Sequence, residues 1–204
     1  MPSTFLSLRR RASCLLGVAL ALSIAVPACA QEAPRVKLAT SAGDIVVEVY
    51  PDKAPKTVEN FLQYVRDKHY DGTIFHRVID NFMIQGGGYD ARYAQKPTRA
   101  PIAHEGREAL ARGGPRNVTG TIAMARTMDP NSASAQFFIN VKDNAFLDHT
   151  APTMQGYGYT VFGKVVTGMD VVNRIKGLPT GPGGPFPSDV PRTPVIINTA
   201  TIIR

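Results

Sequence analysis

The chain has 204 residues, of which 44% are hydrophobic and 19% charged, so its composition is that of a globular protein rather than of a disordered or fibrous one. This length predicts a single domain. The 23 Lys and Arg residues outnumber the 16 Asp and Glu residues, which gives a net charge of +7. The basic residues are scattered and do not cluster with aromatic side chains, which argues against a nucleic acid partner.

The first thirty residues differ from the rest of the chain. A basic triplet at 9–11 precedes an unbroken apolar run at 14–26, and the small residues at 28–30 offer a peptidase site. This pattern predicts a cleaved signal peptide over 1–30 and a mature domain over 31–204. The apolar run is shorter than the roughly 20 residues of a membrane-spanning helix. We therefore expect no stable membrane anchor.

Other interpretations of this segment fit less well. A buried N-terminal helix needs a polar face, which the unbroken apolar run lacks. A twin-arginine export signal matches poorly, and Cys29 faintly suggests a lipoprotein site although Pro27 fits that motif badly. Both cysteines, Cys14 and Cys29, lie in the segment expected to be removed, so no disulfide is expected in the mature domain. Removal of the basic triplet leaves 20 Lys and Arg against 16 Asp and Glu, a net charge of +4.

The signal predicts export, with the bacterial periplasm as the expected location. A eukaryotic secretory lumen would accept the same signal. In that lumen Asn117, in the sequence Asn-Val-Thr, would be an acceptor for glycosylation.

Strand and helix patterns follow a short polar joint at 31–34. A helix is predicted from Pro55, because apolar side chains recur with helical spacing at Val58, Phe61, Leu62 and Val65. A second, short helix is predicted at 169–175. Segments of β-rich composition predict strands at 35–40, 43–50, 73–79, 82–85, 121–125, 136–141, 160–166 and 195–203.

Three segments are expected to be irregular. The glycine triplet at 86–88 should end the fourth strand, since glycine gives the backbone unusual freedom. The segments 89–119 and 177–194 are rich in Pro and Gly and lack periodicity, so they predict long surface connections. Many strands with two isolated helices favour a barrel or a sandwich.

Four segments resemble cyclophilins in their order and separation. They are Phe75-His76-Arg77-Val78-Ile79, Phe82-Met83-Ile84-Gln85-Gly86-Gly87-Gly88, Gln136-Phe137-Phe138-Ile139 and Val161-Phe162-Gly163-Lys164-Val165. The resemblance extends from about Arg35 to the C-terminus and is closest to the bacterial periplasmic type. It implies a closed eight-stranded antiparallel β-barrel capped by two α-helices. It also implies peptidyl-prolyl cis-trans isomerase activity, a role in the folding of exported proteins, and no cofactor.

The resemblance assigns roles to individual residues. Arg77 matches the catalytic arginine, whose guanidinium donates to the prolyl nitrogen as amide resonance breaks. Gln85 is implied to bind the substrate backbone near the proline, and the main chain at Ala125 and Arg126 to pair with the residue before it. The residues implied to line the proline pocket are Phe82, Met83, Phe138 and Leu147.

A supporting polar shell is implied at His76 and Gln136. Taken without the motif, His76 has a second interpretation as a metal ligand, but the other three histidines show no ligand-like spacing with it, so no metal site is expected. Arg77 alone would suggest a surface ion pair. Each apolar residue alone would suggest ordinary core.

Three positions depart from the best-known members of the family. Phe146 stands where many have tryptophan, Tyr159 where many have histidine, and Arg126 where many have asparagine. The chain has no Trp, so no indole N–H is available. We therefore expect cyclosporin-type ligands to bind weakly, while catalysis through Arg77 is retained.

The expected partners are unfolded or extended polypeptides that contain proline, bound by a monomer. One alternative is a binding module that holds such segments without turnover. Another is a nucleotide-binding enzyme that uses residues 86–88 as a phosphate loop, although the lysine and hydroxyl spacing of such a loop is absent.

Overall fold

The computed structural model describes Met1 and residues 33–203, in which it forms ten β-strands and three α-helices. The strands are β1 (Arg35–Thr40), β2 (Gly43–Val49), β3 (Thr73–Ile79), β4 (Met83–Asp90), β5 (Thr121–Met124), β6 (Phe137–Asn140), β7 (Val161–Thr167), β8 (Thr180–Gly183), β9 (Phe186–Pro191) and β10 (Ile196–Ile203). The helices are α1 (Pro55–Arg66), α2 (Gly106–Ala111) and α3 (Met169–Lys176), with a 3₁₀ turn at Ala145–Leu147. The predicted cleavage site lies outside the described residues.

Eight of these strands close into an antiparallel barrel in the order β1-β10-β3-β4-β6-β5-β7-β2. Closure gives each of these eight strands a paired neighbour on both sides. β8 and β9 pair with each other in a separate hairpin. The predicted eight-stranded closed barrel is confirmed, with three α-helices where two were expected.

Alternation of apolar and polar residues explains which strand faces are buried. On β1, Val36 and Leu38 are fully buried and stand opposite Val47 and Ile45 of β2. α1 adds its apolar stripe to the same core, where the Phe61 ring packs edge-on against Phe137 at 5.9 Å between ring centroids. Each large apolar side chain buried in this way contributes about 1.5–3 kcal/mol to folding.

A residue distant in sequence caps α1. The carboxylate of Glu105, which is buried, accepts hydrogen bonds from the backbone N–H groups of Lys56 (3.2 Å) and Thr57 (2.8 Å) and from the Thr57 hydroxyl (2.7 Å). These N–H groups have no partner within the helix, and a negative charge is favourable at a helix N-terminus. The cap fixes part of the long 89–119 connection to α1.

The sequence predicted that the glycine triplet at 86–88 would end the fourth strand, and this prediction is wrong. β4 continues through the triplet to Asp90. The reason is close packing. A Cβ on Gly88 would lie 2.6 Å from Cγ of Gln136, so glycine makes room for that side chain across the strand. The triplet is therefore part of a strand and not a phosphate-binding loop.

Two segments predicted to be irregular contain regular structure. Helix α2 lies within the 89–119 connection, and its six residues are too few to show a clear apolar stripe. The β8–β9 hairpin lies within 177–194, where Pro and Gly obscure the strand pattern. This hairpin packs on β3, with the Phe186 ring stacked on His76 at 5.2 Å. Among the described residues, none of the helices has the length and apolarity to cross a membrane.

Candidate active site

The candidate site is built on a row of residues that face outward on five neighbouring barrel strands. Arg77 of β3 stands opposite Gln85 of β4, which stands opposite Phe138 of β6. Phe138 is in turn opposite Ala123 of β5, and Ala123 is opposite Val161 of β7. Directly opposed side chains lie about 5 Å apart. Register therefore brings residues distant in sequence together on one surface.

A cavity of about 270 Å³ lies over this row. Its lining consists of nine residues, all of them among the residues predicted from the sequence: Arg77, Phe82, Met83, Gln85, Ala125, Arg126, Phe138, Leu147 and Tyr159. The lining thus comes from β3, β4, β6 and the 3₁₀ turn, together with residues just before β4, just after β5 and just before β7.

The floor of this cavity is apolar and separate from the main core. Met83, Phe138 and Leu147 are buried and pack with Ala123 and Val161 in a small cluster on the outside of the barrel. The Tyr159 ring stands edge-on to Phe138 at 5.5 Å and forms one wall. Such a floor suits a small aliphatic ring, since aromatic and thioether surfaces enclose it without requiring hydrogen bonds.

The guanidinium of Arg77 lies at the edge of the cavity. Its Cζ is 6.0 Å from the centre of the Phe82 ring. Within residues 33–203, no carboxylate lies within ion-pair distance of Arg77, and its side chain makes no hydrogen bond. The surface ion pair considered as an alternative is therefore not formed with any described residue. All the N–H donors of Arg77 are free to face a ligand.

Gln85 and Gln136 form a polar bridge beside the cavity. The Gln85 Nε2 donates to Gln136 Oε1 at 3.0 Å. Gln136 lies outside the first cavity and lines a second one of about 250 Å³. Its contact with Gln85 is compatible with the supporting position that the sequence suggests.

Arg126 lies between the two cavities and lines both. Its Nε donates to the carbonyl of Gly158 at 2.9 Å, and its Nη1 donates to the carbonyl of Thr127 at 2.8 Å. Its Cζ lies 4.8 Å from the centre of the Tyr159 ring, a cation–π distance. Arg126 therefore joins the segment after β5 to the wall formed by Tyr159.

His104 supports this wall, and sequence reasoning gave it no role beyond excluding it as a metal ligand. Its Nδ1 accepts from the Gly106 N–H at 3.2 Å, so its Nε2 carries the proton and donates to the Gly158 carbonyl at 3.3 Å. Burial lowers the pKa of His104, and the nearby positive charge of Arg126 lowers it further. The neutral ring therefore shares one carbonyl with Arg126.

A buried network of amides and a carboxylate underlies the site and was also missed. Asn144 donates to the Phe82 carbonyl at 2.9 Å and to Asn140 at 2.8 Å. Asn117 donates to the Leu147 carbonyl at 3.1 Å, and its backbone N–H donates to the Asp148 carboxylate at 2.8 Å. These bonds hold the 3₁₀ turn in place. Because Asn117 is only 1% exposed, the folded domain does not present it for glycosylation.

Besides Gln136, two predicted residues, His76 and Phe146, lie outside the lining of the first cavity. His76 is 2% exposed, and its ring packs against Tyr89 and Phe186. It directly precedes Arg77 in β3, and its ring contacts are with aromatic side chains outside the cavity. Phe146 is 72% exposed and stacks on Phe82 at 5.7 Å, which extends the apolar rim of the cavity.

A metal site is not found among the described residues, since no three His, Cys, Asp or Glu side chains there are grouped to hold an ion. The cavity lining itself contains no carboxylate, thiol or imidazole. Its chemistry is therefore that of arginine and amide donors above an apolar floor.

Comparison with known proteins identifies the family. Residues 35–202 match the family model of "Cyclophilin type peptidyl-prolyl cis-trans isomerase/CLD". The chain is 60% identical over 168 residues to peptidyl-prolyl cis-trans isomerase cyp18 of Streptomyces antibioticus, covering 82% of this chain and 98% of the relative. It is 53% identical to peptidyl-prolyl cis-trans isomerase B of Escherichia coli, covering 80% of this chain and 96% of the relative.

A solved structure supports the same assignment. The cyclophilin-type isomerase of Cryptosporidium parvum, crystallised in the presence of the dipeptide Ala-Pro, matches with a TM-score of 0.64 at 25% identity over 83% of this chain and 99% of that chain. The closed barrel and the matching relatives agree. The chain belongs to the cyclophilin-type family and is a peptidyl-prolyl cis-trans isomerase.

Proposed function

We propose that this isomerase acts on exported polypeptides and that Arg77 is its catalytic residue. The observation that carries the mechanism is the guanidinium of Arg77, which has no partner among the described residues and lies at the edge of an apolar cavity. Rotation about an Xaa-Pro bond breaks amide resonance against a barrier of about 20 kcal/mol. A donor to the prolyl nitrogen favours the twisted state, in which the nitrogen lone pair is localised, over the planar one.

The apolar floor holds the proline ring in this mechanism. Met83, Phe138 and Leu147 enclose the ring, and Arg77 faces its nitrogen from the rim. Binding the ring in this way restrains the C-terminal side of the bond while the preceding carbonyl rotates. A dipeptide of the same chemistry, Ala-Pro, was present with the Cryptosporidium parvum relative, which supports a Pro-containing ligand for this cavity.

The main chain after β5 provides the second anchor. The Ala125 N–H donates to the Gln136 carbonyl at 2.9 Å. The Ala125 carbonyl and the Arg126 N–H have no hydrogen-bond partner within residues 33–203, so both can pair with an extended substrate. Gln85 presents its amide beside the same path. The substrate is then held on both sides of the bond that rotates.

Substitution of Arg77 tests the mechanism. Arg77→Ala should lower kcat/KM by about 10²- to 10³-fold, the usual loss for one preorganised donor, while the dissociation constant changes little. Arg77→Lys should recover part of the activity, because it keeps the charge but loses the planar set of donors. NMR exchange spectroscopy on an Ala-Pro peptide measures binding and isomerisation separately.

The matched control is Arg66→Ala, which removes an exposed arginine that pairs with Glu59 on α1. This variant should turn over the peptide like the wild type. Turnover by Arg77→Ala at the wild-type rate would remove the arginine from the mechanism. Peptide binding without turnover in the wild type would favour the binding-module alternative.

Export is the second part of the proposal and rests on the basic triplet, apolar run and small residues of 1–30. Signal peptidase is expected to cleave after Ala30 and release a periplasmic domain that assists the folding of exported chains. The mass of the protein recovered from the periplasm should correspond to a chain that begins at Gln31. A retained N-terminus, or a diacylglycerol on Cys29, would contradict this.

A further inference from the structure

The second cavity adjoins the proposed proline site and is polar. It shares Gln85, Ala125 and Arg126 with the first cavity. Its remaining lining consists of amides and hydroxyls: Gln95, Thr127, Ser132, Ser134 and Gln136. Arg126 is the one charged side chain in this lining, so the cavity has a net positive character.

The charge of Arg126 is not neutralised by any described residue. Its Nε and Nη1 bond to carbonyl oxygens, and no carboxylate within residues 33–203 lies within 4 Å of it. Its Nη2 makes no hydrogen bond there. Asp129, on the following loop, accepts the Asn131 N–H at 2.9 Å instead. The Arg126 side chain is thus held in place by its bonds to carbonyls. The Nη2 edge of its guanidinium and its positive charge remain available to a ligand.

The path of a bound peptide brings its upstream residues to this charge. A proline in the first cavity places the preceding main chain along Ala125 and Arg126, at the boundary between the cavities. Each further residue of an extended chain advances about 3.3 Å. The side chain two residues before the proline therefore reaches the second cavity.

We propose that Arg126 gives the enzyme a preference for substrates with an acidic side chain two residues before the proline. This inference rests on the proposed proline site. A carboxylate accepts hydrogen bonds from a guanidinium through two oxygens in one plane, whereas a neutral amide of the same size offers a single acceptor oxygen and no charge. Partly exposed ion pairs are weak, so the expected preference for Glu over Gln is about two- to fivefold in the dissociation constant.

The test uses two peptides, Gly-Glu-Ala-Pro-Phe and Gly-Gln-Ala-Pro-Phe, with NMR exchange measurements of binding and isomerisation for each. The readout is the ratio of the two dissociation constants, which a general loss of folding or activity does not change. The ratio should favour Glu at low salt and approach one as salt screens the charge. It should fall to about one in Arg126→Gln and be kept in part by Arg126→Lys. The matched control, Arg66→Gln, should keep the wild-type ratio.

The outcomes separate this inference from the proposed function. Turnover of both peptides with a ratio of one in the wild type would overturn the acidic preference and leave the isomerase site intact. An unchanged ratio in Arg126→Gln, with both peptides turned over more slowly, would show that Arg126 only holds the Gly158 wall. Binding of either peptide without turnover would instead contradict the proposed catalytic site.

Discussion

His76 is a buried histidine whose burial should make the stability of the domain depend on pH. Its ring stacks on Phe186 at 5.2 Å and meets Tyr89 at 4.8 Å, and its Nδ1 has no hydrogen-bond partner among the described residues. The pKa of His76 is lowered from 6.5 to about 4, mainly by burial; the Ile74 backbone opposes this shift, and the positive charge of Arg77 adds to it. The folded protein therefore holds this ring neutral.

The size of the pH effect on stability follows from the pKa of His76 in the unfolded chain, 6.5, and its pKa in the folded protein, about 4. Above pH 6.5 the ring is neutral in both states, and its contribution to stability is complete. As the pH falls from 6.5 to 4 the unfolded chain takes up the proton first, so the free energy of unfolding decreases. At 1.36 kcal/mol per pKa unit, the loss from His76 is about 3 kcal/mol, which is a large fraction of a typical domain stability.

His76→Phe tests this reasoning. The variant keeps an aromatic ring between Tyr89 and Phe186 and removes both the titrating group and the unpaired Nδ1. Urea unfolding followed by far-ultraviolet circular dichroism, from pH 7.5 to 4, gives the free energy of unfolding without a tryptophan signal, which this chain lacks. Between these limits the variant should lose about 3 kcal/mol less stability than the wild type.

The free energy of unfolding of each protein at lower pH is compared with its own value at pH 7.5. This comparison separates the effect of His76 protonation from any change in packing caused by the substitution. At pH 7.5 the variant should be about as stable as the wild type, because a buried polar atom without a partner is replaced by an apolar one. Burial also lowers the pKa of His69 and of His104, and both remain in the variant, so some acid sensitivity should persist. The same loss of stability in both proteins would refute the role of His76.

Two further predictions concern the walls of the site. Phe146→Trp should tighten cyclosporin binding by up to about tenfold, since it adds one indole N–H donor at an exposed position stacked on Phe82. Nanomolar affinity for cyclosporin in the unchanged protein would contradict the expected weak binding. Gly158→Ala should cost about 2 kcal/mol or more and lower kcat/KM, because Gly158 has φ +64° and a Cβ there would lie 2.5 Å from the Leu147 carbonyl oxygen. The control is Gly113→Ala: Gly113 also has a positive φ, +72°, but a Cβ added there would meet no atom within 4 Å. Thermal melts of this control should show only the smaller loss of stability from backbone strain, and its activity should be kept.

The strands could be predicted from local patterns, which favour a barrel or a sandwich, whereas the closed eight-stranded barrel was predicted from the resemblance to cyclophilins. β1 and β3 begin and end at the residues that the sequence indicates, since alternating or β-rich segments are bounded there by turn residues. Sequence patterns do not predict the end of a strand when that end depends on contacts with residues distant in sequence. β4 continues through three glycines because neighbouring side chains, such as Gln136, fill the space in front of them, and that contact is 48 residues away in sequence.

The site was predictable to the extent that its residues lie in the four motifs. The nine residues that line the first cavity come from those motifs or from short segments near them. His104 and Asn144 are not predictable in this way, because they contact the site through hydrogen bonds to the backbone carbonyls of Gly158 and Phe82, which a side-chain pattern does not reveal. The burial of His76 against Phe186 was not predicted either, because Phe186 belongs to the β8–β9 hairpin, whose strand pattern the Pro-rich sequence obscures.

Both arginines of the site lie against aromatic rings rather than carboxylates. Arg77 is 6.0 Å from the Phe82 ring and Arg126 is 4.8 Å from the Tyr159 ring. A carboxylate partner would occupy the N–H donors and cancel the charge, whereas an aromatic face restrains the guanidinium and leaves its in-plane donors free. At Arg77 this leaves the whole donor set for the prolyl nitrogen that we propose as its partner, and at Arg126 it leaves one edge of the guanidinium after bonds to two carbonyls. The aromatic residues beside the cavity thus serve twice, as apolar walls for the substrate and as supports that keep the positive charges available.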